Sequence, residues 1–288
     1  MKAQSFTEHS FHAQDGLRLY YRNYGDHRSS SPPLLCLAGL TRNSKDFHDL
    51  ACRYASDRRV ITFDYRGRGR SAYDSNPDNY QPPVYINDIL HLLAVTHTHR
   101  VVILGTSMGG LMAMAMTAAM PTVLAGVILN DVGPEISPAG RNRIAGYVGT
   151  EVRVASYEQA ADMWRRHYAG AYPRLTDEGW LKLARASFTE AESGDGLRQD
   201  YDVNIAVNLR KDSKTALPDL WPLFRGLRNV PVLAFRGALS DILSTDTFVR
   251  MKREHAGMIA VTVPEVGHVP MLDEPEAVTA LDAFLAGL

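Results

Sequence analysis

Between residues 101 and 130 the chain carries no charged side chain. A run of that length is long enough to suggest a membrane span. Gly105, Gly109, Gly110, Pro121 and Gly126, with the polar Thr106, Ser107, Thr117 and Thr122, break it into shorter pieces. Residues 101–104 predict a buried strand. Residues 108–120 predict a buried helix stopped by Pro121, and residues 123–130 a second strand. Elements that are apolar all round must be covered all round, so the segment calls for a parallel sheet with helices on both faces. The turn between the first strand and the helix reads Gly105-Thr106-Ser107-Met108-Gly109. This is a G-x-S-x-G match, in which a sharp strand-to-helix turn lifts the serine out of the sheet. Glycines let the backbone pass close, and the helix N-terminus behind supplies unpaired N–H groups and partial positive charge. Acyl transfer needs a nucleophile placed in this way.

The rest of the chain repeats the α/β rhythm. Residues 6–12 and 17–24 flank Asp15-Gly16 and predict a peripheral antiparallel hairpin. After a polar loop at 25–33 come a strand at 34–37, a helix near 46–55, a strand at 60–63 and a helix at 84–96. Beyond Asn130 the rhythm stops. From Pro134 to Pro218 no buried strand is evident, only helical candidates at 157–168 and 177–189 and a Gly-rich acidic loop at 190–202. It resumes with a helix near 219–227, strands at 232–235 and 259–263, and helices at 245–254 and 274–285. The expected organisation is a core of residues 1–133 and 219–288, with a helical cap at 134–218 over the sheet edge where open α/β sheets bind ligands.

Composition narrows the function. The 288 residues are enough for one large α/β unit with an insertion. A formal net charge of -1 gives no footprint for nucleic acid. Cys36 and Cys52 are too few for a disulfide framework. The N-terminus lacks the apolar stretch of a secretory signal, so a cytoplasmic, membrane-free protein is expected.

A serine on such an elbow is followed in the chain by an acid and then a histidine. His268, in Gly267-His268-Val269-Pro270 after the last strand, is the expected base. Asp241, after the strand at 232–235, is the expected acid, to fix the histidine tautomer and stabilise the imidazolium. Asp131, after the strand at 123–130, is the alternative; its plainer reading is a turn former before Gly133-Pro134. An oxyanion hole needs two backbone donors, expected from Met108 and from Leu40 in the first strand–helix loop, Ala38-Gly39-Leu40. Gly67-Arg68-Gly69-Arg70-Ser71-Ala72 matches a dinucleotide fingerprint, but a loop follows it where a helix should. His97 and His99 have no carboxylate or cysteine beside them to complete a metal site. No cofactor or metal is expected.

Together the elbow, the Asp64-Tyr65-Arg66-Gly67-Arg68-Gly69-Arg70-Ser71 turn, Ser240-Asp241 and Gly267-His268 resemble the α/β-hydrolase superfamily over nearly the whole chain. The resemblance implies an α/β-hydrolase fold and a serine esterase acting on a small hydrophobic carboxylic ester. Ser107 argues against the members that use a nucleophilic aspartate. C–C bond hydrolysis of ring-cleavage products and lactone opening use the same triad and are the alternatives, although Val269 stands where many C–C hydrolases have tryptophan. A non-catalytic ligand-binding protein on this fold is a further one. The region 134–218 also holds Tyr147, Trp164, Tyr168, Tyr172, Trp180, Phe188 and Tyr201, with Trp221 just beyond. Some are expected to build the cap and others to line a pocket.

Overall fold

The computed structural model describes residues 6–26, 29–212 and 218–288, with the backbone alone for 210–212. The first five residues, part of the polar loop expected at 25–33, and residues 213–217 of the expected cap lie outside the described residues. β1 (Thr7–His12) and β2 (Arg18–Tyr24) form the expected antiparallel hairpin, with Gly16 in its turn at φ +84°. Next come β3 (Leu34–Leu37), α1 (His48–Tyr54), β4 (Val60–Asp64), α2 (Pro82–Val95), β5 (Val101–Thr106), α3 (Met108–Ala119) and β6 (Leu124–Asn130). After the insertion follow α8 (Trp221–Arg225), β10 (Val232–Gly237), α9 (Thr245–Glu254), β11 (Ile259–Val263) and α10 (Pro275–Ala286).

The eight-stranded sheet runs β1-β2-β4-β3-β5-β6-β10-β11. The hairpin joins antiparallel through β2 and β4, and the remaining pairings are parallel. β5 is buried along its whole length because alternate side chains enter different cores. Val101 and Ile103 pack with α2, α3 and α8 on one face. Val102 and Leu104 pack with α1 and α10 on the other. This two-sided burial is why the segment reads as an unbroken apolar run.

Register then sets where the chemistry falls. Leu37 pairs with Gly105, Thr106 with Asn130, and Phe235 with Asn130. The strands therefore end level, and the residues that follow them, Ala38-Gly39-Leu40, Ser107, Asp131 and the loop after β10, emerge at one edge.

The insertion holds α4 (Pro138–Tyr147), β7 (Arg153–Val154), α5 (Tyr157–Tyr168), α6 (Asp177–Ser187), β8 (Phe188–Glu190), β9 (Leu197–Gln199) and α7 (Ala206–Asp212). Two of the helices match the sequence expectation. The small antiparallel sheet β7-β9-β8 does not. Strands of two or three residues are too short to show alternation, and one lies inside the expected loop at 190–202. The insertion has its own apolar core around Ala160, Trp180, Ala184 and Phe188. It is also joined to the main sheet by backbone hydrogen bonds. Gly69 N–H donates to the Asp200 carbonyl at 3.0 Å, Asp202 N–H to Gly67 at 2.8 Å, and Gly267 N–H to Ala171 at 2.7 Å. No helix among the described residues is long and apolar enough to cross a membrane.

Candidate active site

Ser107 sits between β5 and α3 at φ 51° and ψ −115°. Few non-glycine residues adopt such a conformation, and its cost is borne by the packing around it. The glycines of the elbow show how tight that packing is. A Cβ on Gly105 would lie 2.4 Å from the Gly109 backbone, and one on Gly109 would lie 2.1 Å from the Leu37 carbonyl oxygen. Strand and helix thus meet backbone to backbone. Gly109→Ala is expected to lower folding stability by about 1–3 kcal/mol through overpacking, read as a fall in the midpoint of thermal or urea unfolding. An unchanged midpoint would show that α3 can move away from β3 freely.

The His268 ring bridges two groups. Its Nε2 lies 3.0 Å from Ser107 Oγ, and its Nδ1 lies 2.7 Å from Asp131 Oδ2. This geometry assigns the proton to Nδ1, donating to the carboxylate, and leaves Nε2 to accept from the serine hydroxyl. Asp131 is fully buried and stands at φ 54°, just past the end of β6. Its carboxylate also accepts the Gly237 N–H at 2.9 Å and the Ser240 hydroxyl at 2.6 Å. Three donors on one buried carboxylate offset the cost of its desolvation.

The acid expected from sequence, Asp241, is not the residue at His268. The loop after β10 turns so that Ser240 faces Asp131, while the Asp241 carboxylate points to α4. There Arg143 holds it through both oxygens, Nη2 at 2.8 Å and Nε at 2.5 Å. Arg143 beside it keeps the Asp241 carboxyl below the usual aspartate range. α4 lies directly against this loop, since a Cβ on Gly140 would stand 2.5 Å from the Asp241 carbonyl oxygen. The alternative residue, Asp131, is the one that the structure brings to the histidine.

The two expected backbone donors belong to the elements that flank the serine. Met108 opens α3, and neither its N–H nor that of Leu40 donates to a protein acceptor among the described residues. Gly39 brings the first loop close; a Cβ there would lie 3.7 Å from Ser107 Cβ. Arg68, dismissed in sequence as part of a false fingerprint, anchors that loop. Fully buried, it donates from Nε to the Leu40 carbonyl at 2.8 Å and from Nη1 to the Arg66 carbonyl and the Tyr85 hydroxyl. Arg66 is buried as well and is paired with Asp15, Asp74 and Asp88. A signal for this was present in the sequence. Arginines spaced through a Gly-rich turn directly after a fully apolar strand stand where long side chains must run back into the protein.

Above Ser107 and His268 lies a cavity of about 750 Å³ between the sheet edge and the insertion. Of the aromatics flagged in sequence, Tyr147, Trp164, Tyr168, Tyr172 and Tyr201 line it. Trp180 and Phe188 instead build the core of the insertion. Trp221 lies in the main core and carries the Arg250 guanidinium 3.7 Å above its ring. Tyr172 donates its hydroxyl to the Val269 carbonyl at 3.1 Å, and burial raises its phenol pKa. Four arginines, Arg22, Arg42, Arg143 and Arg185, also line the cavity.

Comparison with known proteins bears on the family of the chain. Residues 34–281 fit the sequence pattern described as the alpha/beta hydrolase family. The chain is 33% identical over 276 residues to the 3-hydroxybutyrate-oligomer hydrolase of Cupriavidus necator, covering 94% of this chain and 93% of that protein. It is 24% identical to the 2-(acetamidomethylene)succinate hydrolase of Mesorhizobium japonicum, over 86% of each chain. A crystal structure of an alpha/beta hydrolase from Novosphingobium aromaticivorans superposes with a TM-score of 0.93 at 41% identity, covering all of both chains.

Proposed function

The chain belongs to the alpha/beta hydrolase family, and from that premise we propose that it hydrolyses a small carboxylic ester through an acyl-enzyme intermediate on Ser107. One observation carries the reading: the relay Ser107–His268–Asp131, closed at 3.0 and 2.7 Å at the floor of the cavity. His268 Nε2 takes the Ser107 proton as Oγ attacks the ester carbonyl. The N–H groups of Met108 and Leu40 hold the oxyanion. Asp131 fixes the imidazole and stabilises its cation, and the imidazolium then gives its proton to the leaving alcohol. Water enters, loses a proton to His268 and releases the acid, restoring Ser107. Residues 134–218 act as a cap that closes the cavity over the acyl group. The identity to the 3-hydroxybutyrate-oligomer hydrolase supports an ester as the bond cleaved.

The test is hydrolysis of p-nitrophenyl butyrate by wild type and Ser107→Ala, with mass spectrometry locating a fluorophosphonate adduct on Ser107. Equal rates, or an adduct elsewhere, would refute the assignment.

Arg68 touches no reacting atom and is a positioning residue. Arg68→Met frees the Leu40 carbonyl and loosens the loop that presents the Leu40 N–H. A lost oxyanion donor costs roughly 10²–10³ in kcat, so a misplaced one is expected to cost about tenfold or more. The loss should fall on kcat, with KM little moved. A fall in stability with kcat intact would limit Arg68 to packing.

A further inference from the structure

Of the cavity-wall arginines, Arg42 and Arg143 are used differently. Arg42 has every nitrogen engaged: Nε and Nη2 on Asp46, and Nη1 on the Ser187 hydroxyl. Arg143 gives only one edge, Nε and Nη2, to Asp241. A guanidinium has a second edge, the end-on pair of Nη1 and Nη2, shaped for a carboxylate. Among the described residues no carboxylate or backbone carbonyl accepts a hydrogen bond from Arg143 Nη1, and Arg143 lines the cavity that holds Ser107. The bidentate grip of Asp241 and the close fit of α4 at Gly140 hold the plane of this guanidinium. The Tyr168 hydroxyl lies beside Arg143 and Tyr147. Burial raises both phenols, so they stay protonated. Arg143, Tyr147 and Tyr168 line the same cavity as Ser107 and His268.

We propose that the substrate carries a free carboxylate, separated from the scissile ester by a short spacer, and that the end-on edge of Arg143 binds it. This rests on the ester-hydrolase reading. Arg143 is then a specificity-determining residue, and Asp241 has two effects: it orients the guanidinium and it weakens its pull on a second anion.

The opposed roles make the test discriminating. Steady-state kinetics of the full chain would compare two matched pairs: mono-p-nitrophenyl glutarate with p-nitrophenyl pentanoate, and 3-butyryloxybutanoate with its methyl ester, the latter pair by pH-stat. The readout is the ratio of kcat/KM for the anionic to the neutral member. Wild type is expected to favour the anion in at least one pair. In that pair Arg143→Gln should lower the ratio about tenfold or more, mainly through KM, and Asp241→Asn should raise it. Ser107-dependent cleavage of the neutral esters without preference for either anion would overturn the inference and leave the ester reading standing. Equal falls of the ratio in both variants would also overturn it, reducing the pair to a clasp between α4 and the loop. Absence of Ser107-dependent cleavage for all four esters would overturn the ester reading and this inference with it.

Discussion

Ser107→Ala should remove ester hydrolysis almost entirely, by about 10⁴-fold or more in kcat, while leaving a folded protein. In the proposed mechanism the hydroxyl is the attacking group, and it is the side chain that His268 Nε2 meets among the described residues. What remains in the variant is the oxyanion site and the base acting on water, a residue of catalysis that triad enzymes commonly keep. The fold should be unaffected because the elbow is held by contacts that do not involve the hydroxyl. The Ser107 N–H donates to the Asn130 carbonyl at 3.0 Å, and the flanking glycines pack against Leu37 and Val132. Circular dichroism and the unfolding midpoint should match wild type. A variant that keeps a tenth of the activity would refute the nucleophile assignment outright.

The second large effect separates two aspartates. Asp131→Asn is expected to lower kcat roughly 10³–10⁴-fold. An amide facing His268 Nδ1 can donate to it, favouring the tautomer that puts the proton on Nε2, where it points at Ser107 and cannot accept from it. In that orientation the amide nitrogen also meets the Ser240 hydroxyl, which now donates to the same carboxylate oxygen, so some stability should be lost as well. Asp241→Asn leaves the relay intact, and kcat on a neutral ester should stay within roughly tenfold of wild type. Steady-state kinetics of the two variants on p-nitrophenyl butyrate decide the matter. The reverse order would mean that the histidine turns to Asp241 during the reaction.

The confusion between these two residues shows what sequence can and cannot carry. Strands and their order were legible because residues such as Val101–Leu104 and Leu124–Asn130 are apolar on both faces, a signal local to each element. Ser107 and His268, which the structure brings within 3.0 Å of each other, are picked out in the sequence by the same kind of local signal, the turn in which each lies. The acid is fixed by something else. Asp131 and Asp241 both follow strands that end at the same edge, and β6 and β10 are neighbours in the sheet. The structure pairs Asp131 with the histidine and Asp241 with Arg143, on a helix about a hundred residues earlier in the chain. Arg141, Asn142 and Arg143 give no local sign of that pairing. The small sheet of the insertion was hidden by its brevity, and the work of Arg68 by a resemblance of its turn to a phosphate-binding loop.

One junction bears on how this protein could have diversified. The loop carrying His268 is fastened to the insertion as well as to the sheet: Gly267 N–H donates to Ala171, and Tyr172 donates to Val269. A side chain at Gly267 would strike Ala171, with 2.7 Å between the two Cβ atoms. The insertion is therefore no detachable module. Exchanging it whole for that of another lineage would cut the histidine loose, whereas residue-by-residue drift along the cavity wall leaves the fastening in place. Inheritance of new substrates in this lineage should run through point changes that spare Ala171, Tyr172 and Gly267, and chimaeras that preserve those three positions should be the ones that keep turnover.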